Sequence, residues 1–73
     1  ATMRLYPNPT SSQLNLKLPE NLKVDKVIFY NTLGQVISTS TATSWDVSGF
    51  ANGVYLLKVF NTSGVRTFRF IKE

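Results

Sequence analysis

Seven consecutive residues, VYLLKVF at 54–60, constrain this chain more than any other stretch. All but Lys58 are β-branched, aromatic or aliphatic, and turn residues bound them: Asn52-Gly53 before, Asn61-Thr62-Ser63-Gly64 after. Side chains of an extended chain alternate, so Tyr55, Leu57 and Val59 share one face and Leu56, Lys58 and Phe60 the other. A strand apolar on both faces but for one lysine belongs in the interior of a sheet, with shorter strands packed around it.

The flanking sequence supplies those strands. Residues 13–18, QLNLKL, alternate strictly, which turns Leu14, Leu16 and Leu18 inward and leaves polar groups outward. In 24–31, Val27 and Phe29 fall on one face and Ile28 and Tyr30 on the other. Thr32-Leu33-Gly34 makes a short connection with a glycine free to take φ > 0, and 35–37 returns antiparallel. STSTATS at 38–44 reads as a strand end and a mobile loop, 45–47 as a short strand, and 48–52 as a compact turn over which Phe50 folds back. The segments 54–60 and 65–72 form a closing hairpin, with Phe68 and Phe70 on one face. Near the start, Pro7 and Pro9 fix φ twice and remove two donors, so the lead-in segment 1–9 is polyproline-like or a sheet edge that resists further pairing. No helical period of useful length occurs. Six or seven short strands at ~8–12-residue spacing predict an all-β fold, a small antiparallel β-sandwich of the immunoglobulin or fibronectin III kind.

Seventy-three residues make one domain with a thin core. No cysteine is present, so neither a disulfide nor a thiolate metal site reinforces it. No apolar run approaches the ~20 residues of a membrane-spanning helix, and residues 1–9 are no signal peptide. The net charge is +4, but the basic residues are dispersed apart from Arg66, Arg69 and Lys72. A nucleic-acid binder carries a denser basic stripe or a recognition helix, so no nucleic-acid partner is expected.

The chemistry of an enzyme is absent. Without histidine or cysteine the chain lacks the commonest acid–base group and the thiol nucleophile. Glu20, Asp25, Asp46 and Glu73 stand apart, and no two are spaced to share a strand face. No closely spaced oxygen ligands suggest a calcium loop, and no glycine-rich loop could cradle phosphate. We therefore expect no catalytic residues, no metal and no cofactor. Tyr6, Tyr30, Trp45 and Tyr55 are the material for a sugar-stacking platform, although packing in the core or on a sheet face is the simpler role. Asn61-Thr62-Ser63 matches a glycosylation sequon and equally an ordinary hairpin loop, and Asp46 before Ser48 is a turn former.

Four motifs follow one another: Tyr6-Pro7-Asn8-Pro9; Phe29-Tyr30-Asn31-Thr32-Leu33-Gly34-Gln35; Asp46-Val47-Ser48 with Gly53-Val54-Tyr55; and Arg69-Phe70-Ile71-Lys72. In that order the chain resembles the type A C-terminal sorting domain of the type IX (Por) secretion system of Bacteroidota, over essentially all its length. The resemblance implies an immunoglobulin-like sandwich serving as a secretion signal for a larger cargo fused to its N-terminal side. It implies passage through the periplasm and recognition by outer-membrane translocon and shuttle proteins. A cell-surface sortase then cuts at or before Ala1, leaving the cargo at the surface or secreted.

Carried over residue by residue, Pro7 and Pro9 shape the start of the fold, Gly34 is the hairpin glycine, and Asp46, Gly53 and Tyr55 form a central motif with structural roles. The resemblance makes 65–73 the terminal signal strand. Arg69, Phe70, Ile71 and Lys72 are its translocon-recognition residues, read by strand addition. One departure is Glu73 after Lys72, where the family often ends close to a basic residue. The alternative is an accessory β-sandwich, carbohydrate-binding or fibronectin-III-like, of a secreted hydrolase. An exposed edge strand also offers the isolated domain a route to homodimerisation.

Overall fold

The structure, a computed structural model, describes residues 3–20 and 22–73. Its seven strands are β1 (Arg4–Tyr6), β2 (Gln13–Lys17), β3 (Val24–Asn31), β4 (Val36–Ser40), β5 (Ser44–Asp46), β6 (Gly53–Asn61) and β7 (Gly64–Lys72). They form two antiparallel sheets, ordered β1-β2-β5 and β4-β3-β6-β7. The expected all-β sandwich is the one observed.

The VYLLKVF segment lies where its two apolar faces require. β6 pairs with β3 on one side and with β7 on the other, through unbroken pairing from Gly53↔Lys72 to Asn61↔Gly64. Its inward residues Tyr55, Leu57 and Val59 are buried. Leu14 and Leu16 of β2, with Val47 just after β5, reach them from the three-stranded sheet. Alternation is thus honoured wherever one face is covered.

Several boundaries differ from the sequence expectation, most by one residue, as in β5 at Ser44–Asp46 against 45–47. β4 runs to Ser40, three residues into STSTATS, because an edge strand needs only backbone partners and β3 supplies them through Phe29↔Ser38, Ile28↔Thr39 and Val27↔Ser40. Arg4–Tyr6 is a true strand paired with β2, and its ladder stops where Pro7 lacks a donor. Leu18 falls beyond the end of β2, yet it still packs half-buried against the core.

Phe29 is the hub of that core. Its ring meets Trp45, Phe50 and Phe70 edge-on, with centroids 5.2, 5.9 and 6.0 Å away. These partners come from β5, the turn after it and β7, so one side chain ties both sheets and the closing turn together. Edge-to-face pairs contribute about 0.5–1.5 kcal/mol each beyond burial. Phe29→Ala removes all three and opens a cavity, and should cost about 3–5 kcal/mol. That is most of the stability of a domain this small. Urea unfolding should show the midpoint of the variant moved close to zero denaturant.

Candidate functional site

The terminal strand β7 is an edge of the four-stranded sheet, and half of that edge is already occupied. The chain after β1 runs along its last residues and supplies hydrogen bonds in place of a neighbouring strand. Thr10 N–H donates to Ile71 O and Glu73 N–H donates to Thr10 O, both at 2.9 Å, around an isolated parallel bridge between Thr10 and Lys72. One step earlier the Asn8 side chain stands in for a backbone. Its Nδ2 donates to Arg69 O and its Oδ1 accepts from Ile71 N–H, both at 3.0 Å. Pro7 and Pro9 flank that asparagine, so the segment offers no donors at those two positions. Both X–Pro bonds are cis.

Outward-pointing backbone groups recur every second residue along an edge. The bonds at Arg69, Ile71 and Glu73 therefore place those of Val65 and Thr67 on the same side. What remains open runs from Val65 to the N–H of Arg69. Beyond it the edge is closed.

The four terminal residues split by the same alternation. Phe70 pairs with Tyr55 and is wholly buried, its ring stacked on the tyrosine at 5.4 Å. Lys72 pairs with Gly53 and is also buried, beside the equally buried Thr10, with its Nζ donating to Glu73 O. A lysine buried along its stem reaches a carbonyl with its head, a common arrangement for so long a side chain. Arg69 and Ile71 pair with Leu56 and Val54 on the opposite, outer face, with Arg69 exposed and Ile71 half-buried. So the structure brings Arg69 and Ile71 together on the surface and separates them from Phe70 and Lys72.

The motif residues sit in turns and core. Gly34 has φ +82°, a left-handed conformation that disfavours any side chain although the space around it is open. Asn31 braces that turn by accepting from Leu33 and Gln35 N–H. Asp46 does the same for the next turn, accepting from Ser48 N–H at 2.9 Å. Tyr55 is buried, and its hydroxyl donates to Ala51 O across the turn that Gly53 ends. The aromatic side chains do not converge on a platform. Trp45 packs on Phe29, Tyr55 is in the core, Tyr30 lies on the outer face of the four-stranded sheet, and Tyr6 is exposed on β1. A shallow depression beside Trp45 is lined by Ser12, Gln13, Ser44, Asp46 and Ser48. Asn61-Thr62-Ser63 forms the β6–β7 hairpin loop, with Ser63 N–H donating to Asn61 Oδ1.

No group of three or more metal-ligating side chains gathers among the described residues. What the arrangement offers chemically is a partly open strand edge and a sheet face. A family model described as the secretion system C-terminal sorting domain matches residues 4–73. No curated protein matches the chain.

Two outcomes test this geometry. Asn8→Ala deletes both side-chain bonds to β7 and should lower stability by about 1 kcal/mol, or Tm by about 4–8 °C, in a thermal melt. Asn8→Asp keeps the acceptor but sets a carboxylate against Arg69 O, so it should not restore the loss. Hydrogen bonds from Ser48, side chain first and then backbone, hold the Asp46 carboxyl below its usual range. A carboxyl lowered in the native state favours folding above the ordinary carboxylate range, and that contribution disappears as pH falls through its native value. The Tm difference between wild type and Asp46→Asn should therefore be largest near neutral pH and shrink as acid is added.

Proposed function

The chain belongs to the family of secretion-system C-terminal sorting domains, and from that premise we propose how its last strand carries the address. It is a type IX sorting signal, fused to a cargo that it commits to the cell surface or to secretion through interaction with that system's machinery. The family is not an enzyme family. In our reading, residues 1–73 are one unit, with 1–9 leading into it and 65–73 as the signal strand. The cargo crosses the periplasm with the domain folded, translocon and shuttle proteins read the domain, and a surface sortase removes it.

Within the strand, Arg69 and Ile71 are the residues whose side chains a partner reaches directly. Phe70 and Lys72 act by fixing the strand on the core. Pro7, Pro9, Gly34, Asp46, Gly53 and Tyr55 hold the frame. Strand addition is available along Val65 and Thr67, and it extends over Arg69–Lys72 only if residues 8–10 give way. The observation that carries the reading is the family match across residues 4–73, whose last strand stands at a sheet edge.

The test fuses a fluorescent reporter with a periplasmic export signal ahead of residues 1–73, in a host carrying the type IX system. A second fusion lacks residues 68–73. The full fusion should reach the surface or the medium while the shortened one stays periplasmic. Export of both would remove the address from the terminal strand. Retention of a folded full fusion would overturn the sorting role of the 73 residues.

A further inference from the structure

The outer faces of the two sheets differ in kind. On the three-stranded sheet the outward residues are mostly polar or charged, Arg4 opposite Lys17 and Gln13 opposite Asp46 with Tyr6 exposed on β1, and Gln13 Nε2 donates to Ser44 Oγ, which donates to Asn15 Oδ1. On the four-stranded sheet the registers Lys26↔Phe60, Ile28↔Lys58 and Tyr30↔Leu56 set the half-buried Ile28, Tyr30, Leu56 and Phe60 into an apolar band interleaved with lysines. Three cations stand on this band, Lys26, Lys58 and Arg69, one from each of β3, β6 and β7. Lys26 Nζ lies over the Phe60 ring at 4.8 Å and Lys58 Nζ over the Tyr30 ring at 5.4 Å. The only carboxylate in these four strands, Asp25, sits at the register shift between Val24 and Lys26. An apolar and cationic face on which no cross-strand partner is an acid is a surface suited to being covered.

We propose that the outer face of the four-stranded sheet docks an acidic protein surface with an apolar centre on the secretion machinery. Recognition then extends beyond β7 to Lys26 and Lys58. The proposal rests on the sorting role argued above. A second copy of the chain is a poor occupant, because stacking this face on itself brings three cations against three like charges. A bilayer is a poorer fit, because Tyr30, Leu56 and Phe60 are half-buried and the exposed apolar side chains of this face are three valines, Val36, Val54 and Val65, with no exposed aromatic among them. An extended peptide would seek a groove, and a sheet face offers none.

The experiment uses the reporter fusion with Lys26→Glu and Lys58→Glu together, both outside the terminal strand. A control carries Arg4→Glu and Lys17→Glu, the same change in net charge on the other sheet, where the two residues pair. Circular dichroism and a thermal melt establish folding. Should the reversal fail to fold, Lys26→Gln with Lys58→Gln, which changes the charge more gently, carries the same test. The expected result is export of the unaltered and control fusions, with export of the folded face variant reduced at least about tenfold. Equal export of all three overturns the docking face and leaves the sorting role standing. Retention of the unaltered fusion overturns the sorting role and this proposal with it. Sedimentation of the domain with phosphatidylglycerol vesicles, lost in the face variant, would assign the face to lipid and overturn the protein partner.

Discussion

Everything in this domain depends on a phenylalanine ring that touches both sheets. With 73 residues and no cysteine, the chain has no reserve of core volume and no cross-link. Phe29 compensates by meeting Trp45, Phe50 and Phe70 at once, joining β3 to the three-stranded sheet, to the turn that follows β5, and to the terminal strand. Tyr55 extends this cluster by stacking on Phe70 and tilting against Phe50. The terminal strand is thereby anchored at the same point as the rest of the fold. Its inward half cannot be altered without disturbing the core, which leaves the outward half free to carry information.

That division gives the terminal motif a physical reading. Four adjacent residues are often treated as one signal, but a strand presents only alternate side chains to a partner. Here Arg69 and Ile71 face out while Phe70 and Lys72 face in. The backbone between them is covered from the edge by Asn8 and Thr10. A partner therefore meets side chains on the sheet face before it meets hydrogen-bonding groups along the edge. The open stretch at Val65 and Thr67 lies toward the hairpin, away from the motif itself.

Much of this was legible in the sequence, for a definite reason. Where one face of a strand is buried and the other is wet, period-two alternation records the fact, as in QLNLKL. The interior place of β6 followed from apolar residues on both its faces. Asp46 was readable as a turn residue because its side chain acts on the amide two residues away, whereas Asn31, read only as the end of a strand, also braces a turn. Asn8 was not readable. Its partners are 61 and 63 residues distant, and an asparagine between prolines carries no local mark of what it will bond. The burial of Lys72 was hidden for a related reason. Alternation places it beside Phe70, but only Thr10 arriving from the other end of the chain covers it. The strand end within STSTATS was legible but not its exact place, because a serine- and threonine-rich edge strand is defined by its neighbour, without an apolar pattern of its own.

The bonds from residues 8–10 to residues 69–73 also make the native state a test of completeness. They close a loop over nearly the whole chain, and closing so long a loop comes late in folding, after the local hairpins. Until the last residues are in hand, the segment 8–10 has nothing to bond and the stem of Lys72 cannot be covered. A domain lacking residues 69–73 would thus lose both the outward side chains of β7 and the closure that finishes the sandwich. For a domain whose task is to certify a passenger for export, folding itself would reject an unfinished copy before any receptor inspected it.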